Sequence, residues 1–152
     1  ISPNPGEPLR PLAKIASGGE LSRIMLALKT IFSRIDQVPV LVFDEVDTGV
    51  SGRAAQAIAE KLSELATECQ VFAVTHLPQV AGMADEHYAI KKELSAGRTF
   101  TIVEKLERAD RILETARLLG GVEITETTKH HADEMLKLAE QKRRARSGTD
   151  SA

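Results

Sequence analysis

Three short polar segments of this sequence have the residue types of a phosphoryl-transfer site. Ser17-Gly18-Gly19-Glu20 precedes a helical pattern, Asp44-Glu45 follows four apolar residues, and Thr75-His76 follows a second apolar run. Amides at a helix start suit a phosphate, an aspartate at a strand end can hold Mg²⁺, and its neighbour can act as a general base. Histidine can donate a hydrogen bond to developing phosphate charge. Taken singly, each segment also fits a structural role: a helix cap, solvated carboxylates, a structural histidine.

The elements that must position these segments alternate between strand and helix. Apolar residues spaced by three and four predict helices over about 19–35 and 53–68. The short apolar runs Val40–Phe43 and Val71–Val74 are typical of parallel strands hidden on both faces. Strand, helix and strand in this order predict a right-handed parallel crossover. Ligands of such sheets bind at the carboxyl ends of the strands, where the acidic pair and the histidine stand.

The second half of the chain changes character. We expect a short helix over Leu77–Ala84 and a hairpin of two strands, 87–92 and 99–105. A helix over 109–119 should stop at two glycines, and a last helix should cover about 125–142. The whole pattern predicts an α/β fold, with a mostly parallel sheet flanked by helices, a small β-hairpin and C-terminal helices.

Composition excludes several classes of function. The 152 residues carry a net charge of −2, so the chain is not a polycation that coats nucleic acid. Aromatic residues make up 3% with no tryptophan, which argues against a base-stacking platform. No apolar run is long enough to span a membrane, and no secretory leader is visible. The single cysteine, Cys69, fits a reducing compartment, so we expect a cytoplasmic protein.

The order and spacing of the three segments resemble the C-terminal half of an ABC-type ATPase head. Ser17-Gly18-Gly19-Glu20 matches the signature motif of that family, Leu41–Glu45 matches its Walker B strand with the catalytic glutamate, and His76 matches its switch histidine. Longer runs are similar to the RecN family of bacterial DNA double-strand-break repair proteins, which belongs to the SMC-like class; these runs are Ile15–Arg23, Phe43–Gly52 and Thr75–Ala81.

The resemblance implies a division of the chain into three parts. Residues 1–16 would be a proline-rich lead-in from an upstream coiled coil and N-terminal half, and residues 17–141 the C-terminal lobe of the head. Residues 142–152 lie beyond the resemblance; their composition predicts a basic, frayed tail. Its Lys142, Arg143, Arg144 and Arg146 could contact a DNA backbone, although cations also suit a helix C-terminus.

The resemblance also implies an ATPase in the complete protein, with ATP and Mg²⁺ at the site. Asp44 would hold the Mg²⁺ of bound ATP, Glu45 would activate water, and His76 would reach the γ-phosphate. The signature residues would act in trans, on ATP held by a second head of a homodimer; they are Ser17, Gly18, Gly19 and Glu20. Head closure would control coiled-coil arms that hold DNA, either double-stranded ends or single-stranded overhangs, at the nucleoid.

Two departures from the family pattern limit what the resemblance implies. No Gly-x-x-x-x-Gly-Lys-Ser/Thr occurs in the chain, so the phosphate-cradling P-loop would come from the N-terminal half of the same polypeptide. We therefore predict that this chain alone does not hydrolyse ATP. Ser51 stands where most relatives carry the D-loop aspartate, and the nearby Asp47 is not equivalent to it.

Other interpretations stay open at this stage. The chain could belong to the nucleotide-binding subunit of an ABC transporter, or to a dimerisation or tethering module that does not hydrolyse ATP. A metal site at His130-His131 with Asp133 is also conceivable, although these residues sit on a polar helical pattern that favours solvation.

Overall fold

A computed structural model of the chain describes residues 6, 8, 17–95, 97–121 and 123–147. Most of the expected lead-in and the last five residues lie outside this range. The chain divides into two compact units, residues 1–75 and 76–152, and each is described by itself. Asp44 and Glu45 belong to the first unit, and His76 begins the second.

The first helix of the first unit, α1, spans Gly18–Asp36. The capping box expected at its start is present, because Ser17 and Glu20 bond reciprocally through side chain and backbone. The helix ends at Gln37, whose φ of 48° is the left-handed conformation that commonly terminates helices. The helix predicted over about 19–35 is therefore confirmed.

A parallel pair of strands forms the sheet of this unit. Strand β1 (Val40–Phe43) pairs with β2 (Gln70–Ala73) in parallel, with Phe43 opposite Ala73. Helix α2 (Gly52–Leu65) connects them and buries one apolar face, as the predicted strand–helix–strand order requires. The core of the unit consists of apolar side chains from α1, β1, the loop after β1 and α2: Leu26, Phe43, Val46, Ala55, Ile58, Ala59, Leu62 and Leu65.

The apolar sequences of β1 and β2 predict strands that are hidden on both faces, but the structure shows them partly exposed. Val42 is 68% exposed and Phe72 48% exposed, and Val40 and Val74 are similarly open. Among the described residues β1 and β2 form a sheet of only two strands. In parallel sheets helices normally cover both faces. Among the described residues, apolar side chains of β1 and β2 stay exposed instead.

The second unit follows the predicted order of elements. They are α3 (Pro78–Met83), β3 (Tyr88–Ser95), β4 (Arg98–Lys105), α4 (Arg108–Gly120) and α5 (Glu126–Ser147). Strands β3 and β4 pair antiparallel as the expected hairpin, and Gly121 caps α4 with a φ of 74°. The core lies mainly between the helices, with buried side chains at Val80, Ala81, Met83, Ala89, Leu106, Ala116, Ala132, Leu136 and Ala139.

Residues 142–147 of the basic segment are helical and not frayed, which corrects the sequence expectation for this part of it. Helix α5 continues to Ser147. Arg143 is the physical reason, because its Nη1 donates to the carbonyl oxygens of Met83 and Ala84 at 3.0 and 2.8 Å. These carbonyls belong to the end of α3, where helix carbonyls lack partners within the helix. A side chain that the sequence marks as solvent-exposed charge thus attaches α5 to α3.

The described helices include none that is long and apolar enough to cross a membrane.

The α/β fold class predicted from the sequence is confirmed.

Candidate nucleotide site

The exposed start of α1 is held rigid by its own capping box. The amide of Ser17 donates to Glu20 Oε2 at 2.7 Å, and Ser17 Oγ accepts from the Glu20 amide at 3.3 Å. The hydrogen bond from the Ser17 backbone, with a further one from its hydroxyl, lowers the pKa of Glu20. Glu20 is thus engaged with the backbone of its own helix, while Ser17 and Gly18 face solvent.

The two glycines of this segment allow the loop after β1 to approach the helix closely. A Cβ on Gly18 would meet Glu45 Oε2, the end of an exposed side chain that could move aside. A Cβ on Gly19 would lie 2.9 Å from the Glu45 carbonyl oxygen and 3.1 Å from Thr48 Cβ. The structure therefore brings the signature-like glycines and the acidic pair together within one unit.

The acidic loop, residues 44–50, begins where β1 ends. Asp44 and Glu45 are both exposed. Glu45 has a φ of 59°, in the left-handed region that non-glycine residues rarely adopt. Its carbonyl accepts from the Thr48 amide at 3.0 Å, which closes a turn. Unfavourable backbone conformations of this kind persist only where surrounding contacts impose them.

Contacts from α1 hold the acidic loop on both sides of Glu45. Ser22 Oγ donates to the Asp44 carbonyl at 2.8 Å. Arg23 Nη1 donates to the carbonyls of Thr48 at 2.8 Å and Val46 at 3.3 Å. The side chain of Val46 is fully buried in the core. The loop is therefore fixed to the first two turns of α1 rather than free in solvent.

Asp47, in the same loop, differs from Asp44 and Glu45 in being buried. It is only 2% exposed, and its Oδ2 accepts a hydrogen bond from Thr75 Oγ1. A buried carboxylate needs such partners, because losing water is costly. Its position three residues after Asp44 was visible in the sequence, but nothing in the pattern indicated that it would turn inward towards the end of β2.

His76 is the first residue of the second unit and is exposed. It directly follows Thr75, which contacts the acidic loop. The role of His76 beside the acidic pair stays a prediction.

The acidic pair suits a metal ion that arrives with a nucleotide. Mg²⁺ in nucleotide sites is usually held by one or two carboxylates together with substrate phosphates, and Asp44 offers one exposed carboxylate at the strand end. Over the described ranges, no three or more His, Cys, Asp or Glu side chains form a cluster able to hold a metal by themselves. Near His130 and His131, Asp133 instead pairs with Arg108 and Lys137, both at 2.7 Å.

Comparison with known proteins decides the family. No protein-family model matches the chain. The chain is 57% identical over 141 residues to the DNA repair protein RecN of Bacillus subtilis (strain 168), covering 93% of this chain and 24% of that protein. The chain belongs to the RecN family. RecN of Halalkalibacterium halodurans is 58% identical over 139 residues, covering 91% and 25%, and RecN of Treponema pallidum 48% identical over 148 residues, covering 97% and 26%.

The chain spans about a quarter of the length of these RecN relatives. The recognition of a RecN head segment, made from the motifs, is confirmed by this level of identity. A solved structure from work on the ATP-driven dimerisation and DNA-stimulated activation of SMC ATPases has a TM-score of 0.46 and 24% identity, covering 74% of this chain and 68% of that one. The family assignment rests on the RecN relatives.

Proposed function

We propose that this chain is the C-terminal half of an ATP-hydrolysing head in a RecN-type DNA repair protein. The observation that carries the proposal is the packing of the acidic loop against the start of α1, where a Cβ on Gly19 would lie 2.9 Å from the Glu45 carbonyl oxygen. Two motifs that lie far apart in the sequence thus meet in one unit, in a chain whose relatives are named DNA repair protein RecN.

Each site residue has a distinct task in this proposal. Asp44 would hold Mg²⁺, which supplies neutralising charge for the phosphates when bound. Glu45 would take a proton from the attacking water. His76 would donate a hydrogen bond to the γ-phosphate, where charge develops during transfer. The phosphate-cradling P-loop, which this sequence lacks, would come from the N-terminal half of the same polypeptide.

The signature segment would act on a second head. Ser17 and Gly18 are exposed at the N-terminus of a 19-residue helix, whose dipole and amides favour an anion. A γ-phosphate held by one head could therefore be contacted by α1 of another, and the bound ATP would favour the closed dimer through contacts made only there. Hydrolysis would open the dimer, and the coiled-coil arms would pass this change to bound DNA ends or overhangs in the cytoplasm, at the nucleoid.

The alternatives have less support. The relatives are named as DNA repair proteins rather than transporter subunits. A tethering module without hydrolysis would have no need of a general base, and the Glu45 carboxylate is present and exposed just after β1.

The test uses full-length protein carrying this segment. We expect Glu45→Gln to lower the rate of ATP hydrolysis by about 10²- to 10⁴-fold, the usual contribution of a general base, while ATP-driven dimers persist. Dimers are measured by light scattering with and without ATP. Loss of ATP binding by this variant would contradict the assigned role.

A second variant tests the contact in trans. Ser17→Arg places a bulky side chain at the exposed end of α1 and should leave ATP binding by one head intact while preventing dimers. Persistence of ATP-driven dimers in this variant would show that the signature segment is not part of the dimer contact.

A further inference from the structure

The backbone of Glu45 is anchored on both of its flanks by neighbouring residues of one helix. The carbonyl of Asp44, before it, is held by Ser22, and the carbonyl of Val46, after it, is held by Arg23. Glu45 between them has the left-handed φ of 59°. The two anchors therefore account for an uncommon backbone conformation at the residue assigned to proton transfer.

Arg23 carries the larger share of this anchoring. One guanidinium nitrogen reaches two loop carbonyls, those of Val46 and Thr48, across a turn that Glu45 itself closes. Hydrogen bonds from a charged donor are stronger than those between neutral groups. Arg23 is half-buried, and its hydrogen bond to Val46 is part-buried, so solvent screens this contact less than it would at the surface. Arg23 thus sets where the loop lies relative to α1.

The other side of the loop is held by a different element. Asp47 accepts from Thr75 at the end of β2, so the loop is fixed between α1 and the sheet. Because the loop is attached on both sides, a shift of α1 relative to the sheet would change the orientation of the Glu45 side chain. The start of the same helix, Ser17 to Gly19, is the part proposed to meet the nucleotide of a second head.

We propose that Arg23 is a positioning residue for ATP hydrolysis, which couples contact at the start of α1 to the orientation of Glu45. This inference rests on the proposed function. The hydrogen bonds of Arg23 go to carbonyls of the acidic loop, so it would act through that loop. Its removal should therefore affect the chemical step far more than ATP binding or head dimerisation.

The experiment measures full-length protein with Arg23→Met, Arg23→Lys and the control Lys61→Met, an exposed lysine of α2 paired with Glu64. We expect Arg23→Met to lower kcat by about tenfold or more, as small misplacements of catalytic groups do. KM for ATP and ATP-driven dimers should stay as in the wild type. Arg23→Lys, which keeps the charge on a shorter side chain, should recover part of kcat, and the control should match the wild type.

A readout other than activity accompanies these rates. Hydrogen exchange at the amides of Thr48 and Val50, which donate within the loop, should accelerate in nucleotide-free Arg23→Met protein and not in the control. Unchanged exchange together with unchanged kcat would overturn the proposal. So would a parallel fall of kcat, ATP affinity and unfolding temperature, which indicates a merely structural role. Should Arg23→Met fail to fold, the same comparison is decided by Arg23→Lys.

The outcome separates this inference from the proposed function. A full-length wild type that does not hydrolyse ATP contradicts the proposed function itself. A wild type that hydrolyses ATP, with an Arg23→Met variant of equal kcat, contradicts only the coupling role of Arg23.

Discussion

Glu45 illustrates how a single residue can be identified from sequence while its conformation cannot. Its type and its place after an apolar strand predict a general base. Its left-handed backbone follows from hydrogen bonds that Ser22 and Arg23 make over more than twenty residues of chain. The same holds for Asp47, whose burial against Thr75 depends on the packing of β2 beside β1. Residue chemistry was predictable, and the contacts that orient it were not.

His87 gives a prediction at this level that concerns pH. Burial, and to a lesser extent the charge of Arg111, lowers the pKa of His87, with Glu114 acting in the opposite direction. The unfolded chain therefore binds a proton that the folded chain excludes, between the lowered pKa and the ordinary value of 6.5. The free energy of unfolding should rise with pH through this window and lose this dependence above it.

Urea unfolding of the wild type and His87→Gln between about pH 5 and pH 8 tests this sign. As the pH falls, the unfolding free energy of the wild type should decrease relative to that of His87→Gln. A difference that is constant over the range would contradict the burial of a neutral imidazole.

The helices and strands were largely predictable because their apolar periodicities are clear. Helix α1, the parallel pair β1 and β2, the β3–β4 hairpin and α4 lie where the patterns indicate them. The end of α5 was misjudged, since a run of basic residues usually marks a solvated terminus. Arg143 instead donates to the carbonyls that end α3, a contact between residues about 60 apart that no local pattern contains.

Arg143→Ala should destabilise the second unit by roughly 2 kcal/mol, because part-buried carbonyls would lose a charged donor. The matched control is Arg144→Ala, a neighbouring arginine whose side chain is 80% exposed and lies 3.7 Å from Glu140. Exposed pairs of this kind contribute less than about 1 kcal/mol. Thermal unfolding of both variants checks the difference, and equal destabilisation would show that Arg143 does not hold α5 to α3.

At the level of the whole chain, the most informative feature is apolar surface without a cover. Ile31 and Ile35 of α1 are 70% and 75% exposed, and Val42 of β1 is 68% exposed. Sequence patterns predicted these residues as core. The relatives are about four times as long, and we expect the rest of such a polypeptide to cover this surface.

The central claim is that this chain carries half of an ATPase site that other polypeptide completes. The direct measurement is ATP turnover by this chain alone, by a separately produced P-loop half of the same protein, and by the two mixed. We expect no turnover by either part, turnover by the mixture, and its loss when the mixture contains Glu45→Gln. Turnover by this chain alone, or an undiminished rate with glutamine at position 45, would contradict it.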